Sequence, residues 1–166
     1  ARRHRSGARH TGRVLVALDP AAALAASAAA WLLAGIAVGA SWARASDARV
    51  LRSRAVLRLR RWESREAYRR ATGVHRWKRW VPDAGAWFGG RRKRLGDDAG
   101  AAARARLHVE VVRAEMVHWT MLALSPAWLV WSRGWVLAIN AAVAIAINVP
   151  CLVVARSTRA RLAAVA

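Results

Sequence analysis

Three long apolar stretches constrain the fold of this chain more than any other feature of its sequence. The first, residues 21–42, has no charged residue over 22 positions, which is about the length of a helix that crosses a bilayer. The second and third, 116–132 and 135–155, are separated by a short polar turn that contains Gly134. We therefore predict an all-α integral membrane protein with about three transmembrane helices, of which the last two form a hairpin.

The first stretch is weakly hydrophobic for its length. Eleven of the residues 21–40 are alanine, which contributes little to membrane insertion. Gly35 and Gly39 form a small-xxx-small surface that allows close helix packing, although an alanine-rich helix also produces this spacing by chance. The basic start followed by an apolar run fits a signal peptide, but the run is long and residues 41–46 form a poor cleavage context. We predict a retained anchor that needs partner helices.

The charge distribution predicts the orientation. The chain has 29 Lys and Arg against 9 Asp and Glu, and nineteen of the basic residues lie in 44–106 with six acids. The positive-inside rule places this block in the cytoplasm, whereas the five arginines before Ala21 would then face outward, against the rule. The Ala- and Arg-rich composition suggests a bacterial source. The predicted organisation, in the bacterial plasma membrane, is a basic arm (1–20), a first transmembrane helix (21–42), a basic cytoplasmic-face region (43–106), a membrane-spanning hairpin (107–155) and a basic tail (156–166).

Within the basic region, residues 47–72 have the pattern of one amphipathic helix. Leu51, Ala55, Leu59 and Trp62 recur at helical spacing, and arginine occupies most other positions. Such a helix suits the plane of an anionic membrane surface. Nucleic acid is the rival partner for this charge, but no recognised nucleic-acid motif accompanies it. We predict that the partner is anionic lipid and not nucleic acid.

Four ionisable residues stand at the start of the second apolar stretch: Glu110, Arg113, Glu115 and His118. Ionisable groups at membrane depth are costly, so a functional site is the default hypothesis. Residues three apart share a helix face, which pairs Glu115 with His118 and Glu110 with Arg113. A carboxylate beside an imidazole fixes its tautomer and raises its basicity. We therefore predict that His118 is a general base oriented by Glu115, and that Arg113 stabilises oxyanion charge.

Two other interpretations of these residues remain open. They can form a buried polar network that only offsets its own desolvation. They can also bind metal, since His108 shares a face with Glu115 and His118, and Glu-x-x-His occurs in di-iron bundles. Those bundles need the motif twice with two further carboxylates, whereas this chain has one copy. Cys151 is the only cysteine, which excludes a cysteine-based zinc site, and we predict no metal.

The third stretch contains a second polar feature, Asn148 followed by Pro150. Pro150 has no backbone N–H, so it leaves the carbonyl of Ala146 without its helical donor. In lipid that carbonyl must face protein, water or a ligand. Asn148 either satisfies it or presents a polar group to a substrate.

Two groups of residues carry a family resemblance. One is Arg113-Ala-Glu115-x-x-His118-Trp119, followed about thirty residues later by Asn148-x-Pro150 and an arginine-rich end; the other is Trp77-Lys78-x-x-x-Pro82-x-x-Gly85-x-x-x-Gly89-Gly90-x-x-Lys93. Their order and spacing over residues 62–162 resemble the glycosyl-4,4'-diaponeurosporenoate acyltransferase family. The chain departs from that family at 155–161, where the arginines of Gln-Arg-Tyr-Asn-Arg-x-Arg are kept but its Gln, Tyr and Asn are not.

The resemblance implies transfer of a fatty acyl group from an acyl-CoA or acyl-carrier-protein thioester to a sugar hydroxyl of a glycosylated carotenoid or lipid, with no tightly bound cofactor. The departure leaves the acceptor open. The alternative is a non-catalytic membrane subunit that docks on anionic lipid, in a larger complex or homo-oligomer. The candidate substrate-binding residues are Glu110, Trp119, Asn148 and Trp77, and the candidates for donor phosphates or headgroups are Lys78, Arg156, Arg159 and the cluster Arg91–Arg94.

Overall fold

The computed structural model describes residues 16, 18–53, 57–81 and 100–164, and all secondary structure within them is helical. The all-α prediction is therefore confirmed. In chain order these residues form α1 (Pro20–Arg44), α2 (Asp47–Ser53), α3 (Arg65–Thr72), α4 (Val74–Trp77), a 3-10 helix (Lys78–Trp80), α5 (Ala101–Leu124), a second 3-10 helix (Ser125–Val130) and α6 (Gly134–Ala163).

Two of the described helices, rather than three, are long and apolar enough to cross a membrane. These are α1, with a mean hydropathy of 2.0, and α6, with a mean hydropathy of 2.3. The predicted second span, 116–132, is divided between the end of α5 and the 3-10 helix that follows it. Pro126 stands at the start of that 3-10 helix, where its missing N–H ends the α-helical bonding. A membrane location is supported, and a third span is not.

The last two long helices form the predicted hairpin. Gly134, at the first position of α6, has φ +55°, a backbone conformation that glycine adopts without the steric cost of a Cβ atom. α5 and α6 then pack along their length around a core of Leu107, Val111, Ala155 and Leu162. The turn position predicted from Gly134 is confirmed.

Side-chain hydrogen bonds hold the alanine-rich α1 against this hairpin. Near the turn, Asn140 donates to Ser27 Oγ at 2.9 Å and to Ser132 Oγ at 3.0 Å, and Trp31 Nε1 donates to Asn140 Oδ1 at 3.3 Å. Towards its other end, Trp42 Nε1 donates to Thr120 Oγ1 at 3.1 Å. These bonds compensate for the small apolar area that alanine buries.

The single amphipathic helix predicted over 47–72 is wrong. The described residues there form α2 and α3, separated by turns at 57–64. Glu63 accepts a hydrogen bond from the backbone N–H of Arg60 at 2.7 Å, and Ser64 caps α3 by accepting from Ala67 N at 3.1 Å. These polar groups satisfy the backbone locally, so helical spacing of apolar residues did not make one helix. Residues 47–53 and 57–80 are called the basic layer below.

Candidate active site

The charged residues of the hairpin lie about one membrane thickness from its turn. From Gly134 to Arg156 is 22 positions along α6, a rise of roughly 33 Å, and the hydrocarbon core is about 30 Å thick. Glu115 contacts Arg156 from α5, so it lies at the same depth. These ionisable groups therefore lie near a bilayer boundary when the turn lies at the opposite boundary.

A buried ion-pair network links the hairpin to the basic layer. Glu115 is fully buried, with 0% of its surface exposed, and accepts from Arg156 Nη1 at 2.5 Å and from Arg159 Nη1. Arg156 also donates through Nε and Nη2 to the two carboxylate oxygens of Glu63, both at 2.6 Å. Two carboxylates and two guanidinium groups balance in charge, which is what burial of ions requires.

The same network fixes the turn segment that precedes α3. Arg159 Nη1 donates to the carbonyl of Leu57 at 3.0 Å, and Arg156 Nη2 donates to the carbonyl of Arg58 at 3.3 Å. Tyr68 Oη donates to Glu63 Oε1 at 2.5 Å. Residues of the basic layer are thus held at a defined position against the ends of α5 and α6.

Glu63 and Tyr68 keep their ordinary charge states at neutral pH. Burial alone would raise the pKa of Glu63, but hydrogen bonds from Arg156, from the backbone N–H of Arg60 and from Tyr68 together lower that pKa to about 2. Burial, and then the bond to Glu63, raise the pKa of Tyr68 to about 12. Neither group is suited to exchange a proton with a substrate near pH 7.

The lowered pKa of Glu63 predicts a pH dependence of stability. The pKa falls from 4.5 to about 2 on folding, so ionised Glu63 stabilises the fold by about 3 kcal/mol above pH 4.5, and this is lost as the pH falls towards 2. The free energy of unfolding in detergent, measured over this pH range, gives the size of this contribution. Glu63→Gln should lose most of this dependence, whereas Glu66→Gln should keep it, because the Glu66 pairs with Arg69 and Arg70 are exposed to solvent. If the free energy of unfolding depends on pH equally steeply in Glu63→Gln and in the unchanged chain, the role of Glu63 is contradicted.

His118 lies beside Asn148 on the facing helix. His118 Nδ1 and Asn148 Oδ1 are 3.0 Å apart, and Asn148 Nδ2 donates to the carbonyl of Ala144 at 2.9 Å. Because the amide nitrogen of Asn148 is used by Ala144, the amide oxygen faces the imidazole and accepts its hydrogen bond. Of the two neutral tautomers of His118, this arrangement favours the one with the proton on Nδ1.

The structure places Asn148 within hydrogen-bonding distance of His118, a contact that was not predicted. Glu115, the predicted orienting group, accepts from Arg156, from Arg159 and, at 3.4 Å, from Trp119 Nε1. Asn148, predicted to satisfy the carbonyl of Ala146 or to bind substrate, donates to the carbonyl of Ala144 and lies beside His118, and its contact with substrate stays a prediction. Helical spacing identified the right helix face but not the partners on α6.

Arg113 bonds the end of α1. Its guanidinium also lies 3.6 Å from Glu110, so the predicted i,i+3 contact is present. A cation at a helix C-terminus satisfies carbonyls that have no helical donor, and this explains where α1 ends. The predicted oxyanion role of Arg113 stays a prediction. Arg113 donates to the carbonyls of Trp42 (2.5 Å), Ala43 (3.2 Å) and Ala45 (2.8 Å) and to Asp47 Oδ1 (2.9 Å).

We expect Arg113→Ala to destabilise the packing of α1. The side chain is only 13% exposed, and its loss leaves carbonyls at the end of α1 without donors, at a cost of about 2–3 kcal/mol. The free energy of unfolding in mixed micelles measures this change. Arg106→Ala, which removes an exposed arginine from the same helix, is the control and should change stability by less than about 0.5 kcal/mol. Equal effects of the two substitutions would contradict the role of Arg113.

A cavity of about 380 Å³ opens beside the network. Of the predicted binding residues, Trp119 and Arg156 line it. Glu63 and Tyr68 were not predicted, although the two acids Glu63 and Glu66 within an arginine-rich segment are a signal that could have pointed to this position. The lining residues are Leu57, Arg58, Arg60, Trp62, Glu63, Tyr68, Trp119 and Arg156.

The remaining predicted residues lie elsewhere. Trp77 donates through Nε1 to the carbonyl of Thr72 at 2.8 Å, and Lys78 is exposed on the first 3-10 helix. Neither lines the cavity. The cluster Arg91–Arg94 is outside the described residues. In the ranges that the structure describes, no three His, Cys, Asp or Glu side chains are placed to hold a metal ion.

Comparison with protein families identifies the chain. The family model for glycosyl-4,4'-diaponeurosporenoate acyltransferases matches residues 53–166. The chain belongs to this family. It is accordingly an acyltransferase, and the family description indicates carotenoid biosynthesis. The match contains α3 to α6, the buried network and the cavity, and it excludes α1. Comparison with curated proteins and with solved structures gives no match.

Proposed function

We propose that this member of the glycosyl-4,4'-diaponeurosporenoate acyltransferase family moves a fatty acyl group from a thioester donor to a hydroxyl of a glycosylated carotenoid or lipid. Family membership supports the reaction class. The observation that carries the mechanism is the hydrogen-bonded series from Ala144 through Asn148 to His118, because it presents an imidazole in the tautomer of a general base.

In this mechanism His118 acts on the acceptor hydroxyl. Nε2 takes the hydroxyl proton as the oxygen attacks the thioester carbonyl, the carbon–sulfur bond breaks, and an ester bond forms. The proton then passes from the imidazolium to the leaving thiolate. The products are an ester and a free thiol, and His118 returns to its neutral form.

The carboxylates near the cavity are poor alternatives for the base. Glu63 has a pKa of about 2 and accepts four hydrogen bonds. Glu115 accepts hydrogen bonds from two arginines, so its carboxylate oxygens are already occupied. We assign both to holding the cavity wall in place.

We also propose that the site works at a membrane surface. α1 and α6 are the helices suited to span, and exposed apolar side chains on them, including Leu32, Leu33 and Ile145, suit contact with lipid tails. The basic layer would then contact anionic headgroups on the cytoplasmic side, as the positive-inside rule favours. An acceptor with an apolar tail would reach the cavity from the bilayer.

The test is reconstitution of the protein in nanodiscs with a long-chain acyl-CoA and a glycosylated carotenoid. Mass spectrometry of the extracted lipids should detect the acyl ester, with one free thiol released per ester. An acceptor whose sugar hydroxyls are all blocked is the matched control and should give no product. Absence of ester with every acyl thioester and glycosylated acceptor supplied would contradict the proposal and would favour a docking subunit.

A further inference from the structure

We propose that Arg58 and Arg60, at the mouth of the cavity, bind a phosphate group of the acyl donor. The proposal rests on the proposed acyl transfer and names the chemistry that the donor must carry. Coenzyme A and the prosthetic group of an acyl carrier protein share a phosphate ester at the end of the pantetheine arm, and that phosphate is the ligand that we assign to these two residues.

Arg58 and Arg60 have positive charges that no described carboxylate neutralises, unlike the arginines that were predicted from the sequence to bind phosphate. Arg156 and Arg159 were predicted to bind donor phosphates, but both are ion-paired with Glu115, and Arg156 also with Glu63. Arg58 and Arg60 line the same cavity and are exposed, and neither forms an ion pair with a carboxylate in the described parts of the chain. They are the cavity residues with positive charge left for a ligand.

The positions of these arginines are fixed by the buried network. The carbonyl of Arg58 accepts from Arg156 at 3.3 Å, and the backbone N–H of Arg60 donates to Glu63 at 2.7 Å. The backbone is therefore held while the two side chains remain exposed at the mouth. Guanidinium groups on a fixed backbone suit phosphate, because they donate paired hydrogen bonds to its oxygens and are always charged.

The location of the cavity favours the donor over a bulk lipid headgroup. Trp119, which lines the cavity, is carried by α5, the helix that also carries His118, the proposed base; His118 itself is not among the lining residues. A phosphate bound at the mouth therefore lies beside the helix that carries the proposed base. A pantetheine arm extends from its phosphate to the sulfur, so an anchor at the mouth allows the thioester to lie deeper. A lipid bound only for membrane attachment needs no such cavity.

The first experiment measures binding without turnover. 4′-Phosphopantetheine and pantetheine, which differ only in the phosphate, are titrated into the protein in nanodiscs of neutral lipid. We expect 4′-phosphopantetheine to bind at least about tenfold more tightly than pantetheine, and the variant Arg58→Ala, Arg60→Ala to lose this difference. Arg61→Ala is the matched control, because it removes a neighbouring exposed arginine that does not line the cavity, and it should change the dissociation constant by less than about twofold.

The second experiment compares donors in the acyl-transfer assay. With acyl-CoA the double variant should have a KM at least about tenfold higher and a nearly unchanged kcat, whereas with acyl-pantetheine it should match the unchanged protein. Equal KM values for acyl-CoA in the two proteins would overturn the phosphate site while leaving the acyl transfer established. No turnover by the unchanged protein would instead contradict the proposed function. If the variant loses only binding to anionic lipid nanodiscs and keeps its affinity for 4′-phosphopantetheine, the arginines bind lipid headgroups and the donor assignment is wrong.

Discussion

Replacement of His118 by alanine is expected to lower kcat for acyl transfer by about 10² to 10⁴-fold, with the protein still folded. Alanine removes the imidazole that takes the hydroxyl proton, and the carboxylates of Glu63 and Glu115 are poor replacements, because both already accept hydrogen bonds from arginines. His118 is only partly buried, so its loss leaves the hairpin core of α5 and α6 intact.

Two further variants separate catalysis from folding. His75→Ala removes an exposed histidine of the basic layer and should retain full activity. Asn148→Leu keeps the branched shape of the side chain but removes the group that orients His118, so kcat should fall by at least about tenfold while the KM values change little. The activity of all three variants is measured as the initial rate of ester formation. Activity of His118→Ala within about tenfold of the unchanged protein would remove His118 from the mechanism.

The substitution Glu115→Gln is expected to destabilise the protein by about 3–5 kcal/mol. Glu115 has no exposed surface, and Arg159 is 3% exposed, so the variant leaves a buried guanidinium without its carboxylate. Removing one partner of a buried pair costs this much because the other charge remains buried. Unfolding in mixed micelles, followed by tryptophan fluorescence, measures the change.

The pair Glu110–Arg113 provides the control for this effect. Glu110 is on the same helix, but its side chain is 23% exposed and its contact with Arg113 is 3.6 Å long, so Glu110→Gln should cost about 1 kcal/mol or less. The double variant Glu115→Leu, Arg159→Leu should regain part of the stability lost in Glu115→Gln, since Glu63 and Arg156 remain paired. If Glu115→Gln and Glu110→Gln have the same effect, the buried network does not stabilise the fold as described.

Much of the architecture could be predicted from the sequence because it depends on local patterns. The hairpin turn followed from one glycine between two apolar stretches, and the structure places Gly134 there at a positive φ. The amphipathic helix over 47–72 failed for an equally local reason. The prediction used only the spacing of apolar residues. In the structure, Glu63 and Ser64 accept hydrogen bonds from backbone N–H groups, and these bonds stabilise a turn between α2 and α3.

The site was predictable only in part, because ion-pair choice is a long-range property. The sequence identified Glu115, His118 and Asn148 as unusual polar residues, but spacing along one helix paired Glu115 with His118. The packing of α6 against α5 places Arg156 and Arg159 on Glu115, and Asn148 on His118. With so many arginines in the chain, spacing alone does not show which are neutralised and which remain for a ligand.

We propose that this chain acylates a glycosylated lipid or carotenoid through His118. The most direct test is lipid mass spectrometry of the producing cells in three forms: with the protein, without it, and with the variant His118→Ala at equal abundance. We expect an acyl ester of a glycosylated lipid or carotenoid that is present in the first form and lost in the other two. A lipid profile that is the same in all three forms would contradict the proposal.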